Sequence, residues 1–477
     1  MLKIYCNQSY IKEKLYVFRI IFEEWLGIPY EIFEHEGQEV RIIVNDEEGR
    51  QWELIVNETL FSTPLHEWLT EKSLPQQPLK RVFLDQKGIK PKLVQHEIPV
   101  IYGDSGITND SLITYDGSRI HLGIDIFGSI FFMITRYEEY VKTALDTHQR
   151  FSAYDSMAFQ EDFLMRPIVN EYLEILWGCL KFLSPDLLRK KRTYSVFLTH
   201  DVDQPLYNLG ISFRRIFKSL AADILLRKDV ALFLRRFFSI LKGWMGNYKS
   251  DPYNTFDYLM NMSEAFSLKS YFFFIAGHTD ADLDGHYTLD MPWIKKLMKS
   301  IHERGHQIGL HPSYNTYLSP ESLNREFQNL LRVADLENIK QETWGGRQHY
   351  LRWSAFKTWQ CWEQVGLNFD STVCFADHVG FRCGTCYEFP VFNLRTSQEL
   401  SLVERPLIVM DGTLRGPLYQ NLSKKEALNT IKNLSDAVKK YDGMFTLLWH
   451  NDFIPGKQDK QFYKHVLSTL TSKVSLQ

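Results

Sequence analysis

The sequence predicts an α/β protein made of two successive parts, and three observations predict it. Short apolar segments alternate with helix-patterned segments of about 10–15 residues, which implies βαβ units. A basic link, LRKKRT (Leu188–Thr193), separates a first series of such segments from a second. The 477 residues also exceed one ordinary core, since domains usually hold roughly 100–200 residues.

Composition narrows the function classes. The chain is 44% apolar and 24% charged, the balance of a folded, water-soluble protein. A net charge of −3 lacks the strongly basic footprint of nucleic-acid binding, so no nucleic-acid partner is expected. The aromatic share of 14% supplies faces that suit sugar rings and ordinary cores alike. The opening MLKIYCNQSYIKEKLYVF scatters Lys and Glu among short apolar runs, unlike a secretory signal peptide. No segment reaches the ~18–20 apolar residues of a membrane span. A cytoplasmic location is therefore expected, with Cys6, Cys179, Cys361, Cys374, Cys383 and Cys386 as reduced thiols. Cys383 and Cys386 form a CxxC, but no second CxxC or His pair stands beside it, so a structural zinc site is not expected there.

In the first part, residues 1–187, RIIVN (Arg41–Asn45) and WELIV (Trp52–Val56) read as period-two strands. A helix is expected over Asp125–Leu145. Another is expected from Pro167 to Leu183, with Pro167 suited to a first helical turn. This part shows no catalytic constellation, and packing or partner recognition is its expected role.

The second part, residues 194–477, opens on the strand SVFL (Ser195–Leu198), which runs into THDVD (Thr199–Asp203). A basic helical insertion follows at about residues 211–245. From Ile211 to Trp244, Arg214, Arg215, Lys218, Arg227, Lys228, Arg235, Arg236 and Lys242 stand among Phe, Leu and Ile. The simpler reading is an insertion packed on the domain with solvated cations. The other is peripheral contact with an anionic membrane surface. Beyond it, SYFFFIAG (Ser270–Gly277), HQIGLH (His306–His311), LNFDSTV (Leu367–Val373), PLIVMD (Pro406–Asp411) and MFTLLWH (Met444–His450) read as strands. MPWIKKLMKSIHERG reads as a helix stopped by Gly305, and SPESLNREFQNLLRVADL as one capped by Ser319 with Pro320 at its first position. A parallel sheet or barrel follows.

Four places carry chemistry. Asp201 and Asp203 project to one side of an extended chain, ~6.6 Å apart. Two carboxylates aimed into one space call for a cation or a shared proton. His306 and His311 are five apart, so a straight strand sends them to opposite faces. His311 lies at the strand end, before Pro312, and His306 is expected to pack locally. In GGRQHYLRW (Gly345–Trp353), Arg347 suits a bidentate grip on a carboxylate, and His349 is a further metal-ligand candidate. In LLWHND (Leu447–Asp452), His450 is a candidate general acid, and Trp449 a candidate wall for a sugar.

In this order, the strand-end Asp pair, the GH-x-I-G-x-H strand, the Arg-x-x-Tyr turn and the strand ending in Trp-His resemble the polysaccharide deacetylase family. That family is also called the NodB-homology or carbohydrate esterase 4 type, and the resemblance covers about Ser195 to Phe453. It implies a distorted (β/α)7-type barrel behind a smaller α/β N-terminal domain. It further implies removal of acetyl groups from an N-acetylated sugar or glycan intermediate with a divalent metal, often zinc. By the same resemblance Asp201 is the catalytic base and Asp203 a metal ligand. His311 is the first metal His, Arg347 holds the base, the Tyr350 N–H serves the oxyanion, and His450 is the acid. The first part, with TRYEEY (Thr135–Tyr140), resembles an extra domain that precedes the barrel in some bacterial members. One departure stands out. The second metal His should fall four residues after His311, where this chain has Asn315. An amide oxygen suits zinc less well than imidazole, so the third ligand is open between Asn315 and His349. A cytoplasmic location would favour a lipid- or nucleotide-linked biosynthetic intermediate over finished wall polymer. The alternatives are a non-catalytic glycan-binding relative, a membrane-associated scaffold, and a hydrolase of another small amide.

Overall fold

Period-two burial creates the first sheet. The chain opens with β1 (Leu2–Cys6), β2 (Tyr30–Glu34), β3 (Glu39–Asn45) and β4 (Gln51–Asn57). A separate antiparallel pair, β5 (Lys80–Phe83) and β6 (Glu97–Val100), is followed by β7 (Ile113–Tyr115) and β8 (Arg119–Leu122). Six of these form one mixed sheet in the order β2-β1-β3-β4-β8-β7. In β3, Val40, Ile42 and Val44 are buried while the residues between them are partly exposed, as one covered face requires. The computed structural model describes residues 1–477 except 47, 85–87, 208, 210–212, 226–229, 245–246 and 473–477, and except the side chains of 213–215, 219, 231, 232, 235, 239 and 244.

The second sheet is larger and nearly all parallel. It contains β9 (Ser195–Val202), β10 (Ser270–Ile275), β11 (Gln307–His311), β12 (Gly345–Gly346), β13 (Phe369–Asp370), β14 (Phe389–Asn393), β15 (Gln398–Glu404), β16 (Val409–Met410) and β17 (Met444–Leu448). Their order is β14-β15-β13-β12-β11-β10-β9-β17-β16, and only β14 runs antiparallel to its neighbour. The protein is thus a mixed α/β fold with a large parallel sheet. Among the described residues no ladder joins β14 to β16, so hydrogen bonding does not close this sheet into the expected barrel. The helix Pro320–Leu336 begins as read, with the Ser319 side chain accepting from the Ser322 N–H and Pro320 in its first turn.

One expected helix is broken. Asp125–Leu145 forms two helices, Ile126–Ile134 and Tyr137–Val141, because Arg136 between them adopts a left-handed backbone (φ 55°). Periodicity carries no sign of this, since the cause is a long-range ion network. The Arg136 Nε donates to Glu139 at 2.8 Å, and Arg382, from the second part of the chain, also pairs with Glu139. Arg136 in turn donates to the Arg382 carbonyl. All three side chains are buried. TRYEEY is thus an anchor between the two parts. Further ties run from Tyr16 to the Pro390 carbonyl and from Trp25 to the Glu388 carbonyl, and one apolar cluster continues through both parts.

The insertion forms a hairpin of two helices, Phe213–Leu225 and Val230–Trp244. Ile216, Leu220 and Ile240 pack with Tyr207, Phe233 and Tyr253 on its inner face. Of the cations noted there, Arg227 and Lys228 lie outside the described residues, as do the side chains of Arg214, Arg215 and Arg235.

Burial raises the carboxyl of Glu139, but the guanidiniums of Arg382 and Arg136 outweigh it and leave its pKa lowered. The stability it contributes is therefore present above the unfolded carboxylate range, near pH 4.3, and is lost as pH falls through the folded value. Glu139→Gln removes the carboxylate paired with the buried Arg382 and leaves Arg136 only Glu138, 4.0 Å away, and should cost about 3–5 kcal/mol in urea unfolding at neutral pH. A loss below about 1 kcal/mol would show that the network does not bind the two parts together.

Candidate active site

Parallel strands send the residues at their C-terminal ends to one edge of a sheet, and polar groups placed there converge. Here Asp201 lies in β9 and Asp203 just beyond it, His311 ends β11, and Arg347 to Tyr350 follow β12. Asp411 follows β16, and His450 stands two residues beyond β17. Asp201, Asp203, His311, Gln348 to Tyr350 and His450 line a cavity of about 440 Å³, within the range of small-ligand sites. The two glycines of β12 make this convergence sterically feasible. A Cβ on Gly346 would collide with the Leu310 carbonyl of β11, and one on Gly345 with Phe369 of β13. Only a bare backbone passes between these neighbours, and it delivers Arg347 to the centre.

Arg347 is fully buried. Its Nη1 donates to Asp201 Oδ1 at 2.8 Å and to Thr199 Oγ1 at 2.9 Å, while Nε and Nη2 donate to the carbonyl and hydroxyl of Ser371. Its own carbonyl accepts from His311 Nδ1 at 2.6 Å. That bond assigns the His311 proton to Nδ1 and turns the lone pair of Nε2 toward Asp203, 3.1 Å away. His349 is oriented in the same way. Its Nδ1 lies 3.0 Å from Asp284 Oδ1, and the Asp284 carboxylate also accepts the N–H groups of Thr279, Asp280 and Tyr314. Burial works against this charge, but His349 and the backbone donors outweigh it and bring Asp284 down to about 2. An ionised acceptor requires the proton on Nδ1, so the Nε2 of His349 also offers a lone pair, 3.7 Å from Asp203 Oδ1.

With both rings neutral, three acceptors face one another, and ligand atoms of Asp203, His311 and His349 all lie within 4.8 Å. Asp203 Oδ1 is closed off from water and has no hydrogen-bond partner. Such a cluster needs a proton or a cation at its centre. Two imidazoles and a carboxylate are a donor set suited to zinc and similar divalent ions, so the residues present fit a metal. Desolvation opposes the charge of Asp203, yet the imidazoles of His349, His311 and His450 hold it well below the usual carboxylate range. Burial pulls His311 down, and Asp201 and Asp203 more than reverse this.

His450 faces the same cluster from the opposite side. Its Nε2 is 3.7 Å from Asp203 Oδ2. Asp411 grips it twice, accepting the His450 N–H at 2.7 Å and the ring Nδ1 at 2.7 Å. Burial disfavours the imidazolium, but Asp411, Asp203 and Asp201 raise its pKa well above the ordinary value. Asp452, on the cavity wall, is pushed up to about 6, chiefly by burial.

Not every residue singled out in the sequence arrives here. Asn315 is not among the residues that line the cavity. Its amide donates to the Thr279 carbonyl at 3.1 Å and accepts from Arg352 at 3.0 Å. Trp449 is fully buried against Phe462 and Tyr463 and forms no part of the cavity wall. The aromatic wall consists of Tyr350, Tyr419 and Phe453. His306 packs locally, as its spacing suggests, and accepts the Ser270 N–H. Cys383 and Cys386 are buried thiols outside the metal-ligating group found among the described residues.

Three further residues shape the site from outside the four places marked in the sequence. Asp284 sits in a loop among Asp280 and Asp282, which the sequence does not distinguish from it. Asp411 ends an apolar strand, a position that does single it out. Arg150 comes from the first part of the chain. Its Nη1 donates to the Tyr350 carbonyl at 2.9 Å, and it lines the cavity.

Comparison with known proteins adds the following. Residues 2–185 match a family of unknown function (DUF7033). No curated protein matches the chain. Among solved structures, it is similar to a polysaccharide deacetylase of Mycobacterium smegmatis, at 14% identity over 60% of this chain and 86% of that one, with a TM-score of 0.40. A polysaccharide deacetylase of Bacillus cereus is similar at 12% identity over 59% and 87% of the two chains, with a TM-score of 0.28.

Zinc titration of the metal-stripped protein distinguishes the ligands. Asp284→Asn, which loosens His349 without removing a ligand, should weaken affinity by roughly 10–100-fold. Asn315→Ala should leave it unchanged. The reverse pattern would return the third ligand to Asn315.

Proposed function

We propose that this protein is a metal-dependent hydrolase that removes the N-acetyl group from an N-acetylated sugar or glycan intermediate, acting in the cytoplasm in glycan biosynthesis. One observation carries the reading. A buried carboxylate clamped by an arginine (Asp201–Arg347) and a carboxylate-gripped imidazole (His450–Asp411) flank a cluster of three converging metal-ligand atoms in one cavity. A base, an acid and a cation site on different sides of one space are what amide hydrolysis requires.

Asp203, His311 and His349 would hold the divalent ion, which when bound supplies positive charge to stabilise the developing oxyanion. Arg347 engages one oxygen of Asp201 and fixes the plane of the carboxylate. Asp201 takes the proton of the water that attacks the acetamide carbonyl. The Tyr350 N–H donates to the same oxyanion, a contact worth about 3–4 kcal/mol for one well-placed donor. His450, held protonated by Asp411, gives its proton to the departing sugar nitrogen as the C–N bond breaks, leaving acetate and a free amine. Tyr350, Tyr419 and Phe453 offer faces against which a pyranose ring stacks.

Acetate release from N-acetylated sugars tests this with the zinc-loaded protein. Asp201→Asn should lower kcat by roughly 10²–10⁴-fold, and His450→Gln by a similar factor, with zinc content unchanged in both. Turnover near that of the parent protein in Asp201→Asn would remove it as the base. Full zinc loading of the parent protein with sugar binding but no acetate release would favour the glycan-binding alternative.

A further inference from the structure

We propose that the helical hairpin of Phe213–Leu225 and Val230–Trp244 is a docking surface for an anionic lipid bilayer. The hairpin has two apolar faces, and the fold uses only one. Its inner face packs Ile216, Leu220 and Ile240 against Tyr207, Phe233 and Tyr253. There Arg236 lies over the Tyr207 ring and pairs with Asp223 at 2.7 Å. On the outer face of the second helix, Val230, Leu234, Phe237 and Phe238 recur at i, i+4, i+7 and i+8, the spacing of a single helical stripe, and all four are exposed. The first helix adds Phe217, Ile224 and Leu225. Phe217 is 68% exposed, Leu225 73% and Phe238 54%. Seven of the twenty exposed large apolar side chains among the described residues fall in these two helices. Surface residues scattered singly need no explanation, but a stripe of this kind marks an interaction site.

Charge selects the occupant. Between Ile211 and Trp244 the sequence holds eight Lys and Arg against Asp223 and Asp229, a net of +6 in a chain whose net charge is −3. The remaining residues therefore carry −9. A second copy meeting this surface through its own hairpin would bring two strongly positive segments together, which opposes pairing. An anionic membrane surface attracts the same cations and accepts the apolar stripe below its headgroups. Helices of 13 and 15 residues are too short to span a bilayer. No helix among the described residues is long and apolar enough to cross a membrane, so the hairpin would lie along the surface. Tyr207, which it covers, belongs to the segment leaving Asp203, so docking brings the active-site edge of the sheet beside the bilayer. The proposal does not depend on the reaction performed there.

Vesicle co-sedimentation of the full-length protein tests it. Phosphatidylcholine vesicles containing about 30% phosphatidylserine should bind at least roughly tenfold more protein than phosphatidylcholine alone, and raising NaCl from about 0.1 to 0.5 M should reverse most of this. The triple variant Phe217→Gln, Leu225→Gln, Phe238→Gln should lose binding with unchanged circular dichroism and thermal unfolding, because all three side chains already face water. Lys218→Glu with Lys242→Glu should lose it as well. No sedimentation with anionic vesicles, or undiminished binding by the triple variant, would overturn the proposal. So would a dimer in light scattering that the triple variant converts to a monomer while neither protein binds vesicles, since that result assigns the surface to a second copy.

Discussion

Arg347 places a permanent charge at the centre of the parallel sheet with none of its side chain exposed. Its guanidinium reaches Thr199 and Asp201 on β9 and Ser371 just beyond β13, while its carbonyl holds the His311 ring at the end of β11. One residue, carried just past β12, thus ties β9, β11 and β13 together at the edge where the cavity opens. A buried charge is tolerated only where its donors are matched, so each partner is held in place by the same requirement. The position of Asp201 and the tautomer of His311 both follow from it.

The same logic extends outward by one layer. Each imidazole facing Asp203 is held through its other nitrogen or its backbone. The Arg347 carbonyl serves His311, the Asp284 carboxylate serves His349, and the Asp411 carboxylate serves His450. The differences between these partners matter. A carbonyl fixes the ring with little change in basicity. A carboxylate also favours the protonated ring, which suits an acid, and for a ligand raises the electron density of the opposite nitrogen. Asp284 is itself held ionised by backbone N–H groups of the loop that follows β10 and by the Tyr314 N–H. The cluster therefore arrives already oriented, at the cost of crowding three acceptors that only a cation or proton relieves.

Strand ends were the legible part of this arrangement. Apolar runs that stop at Asp201, His311 and His450 point to a parallel sheet and to one edge of it, and the fold brings these residues there. Spacing along the chain was a poorer guide. Asn315, four residues after His311, is drawn aside by Thr279 and Arg352, while His349, far away in sequence, completes the group. Asp284 carried no signal because its loop holds three similar acids and only tertiary contacts separate them. The helix break at Arg136 was hidden for a related reason. Its apolar periodicity continues through the break, and the interaction that bends it comes from Arg382, more than two hundred residues later. Trp449 shows the limit of reading an aromatic beside a functional residue. Just past the end of β17 it turns into the core while its neighbour His450 faces the cavity.

The first part of the chain gains a role from backbone geometry. Tyr350 and Leu351 both adopt left-handed conformations, with φ of 60° and 54°, and such residues cost about 1–2 kcal/mol each. Strain of this kind persists only where surrounding contacts overdetermine it. Those contacts come largely from the segment Asp146–Ser152. Arg150, braced by Asp146, donates to the Tyr350 carbonyl. The His148 carbonyl accepts from Arg352, and the His148 ring meets those of Tyr314 and Tyr350. Ser152 and the Ala153 N–H then fasten the segment to Asp377. The turn that carries His349 and Tyr350 is therefore shaped from both sides, by the glycine strand beneath it and by a segment of the first part above it. A second sheet standing alone would keep Arg347 and Asp201 but lose the contacts that hold this turn in its strained form. That dependence gives the first part a physical reason to remain joined to the second.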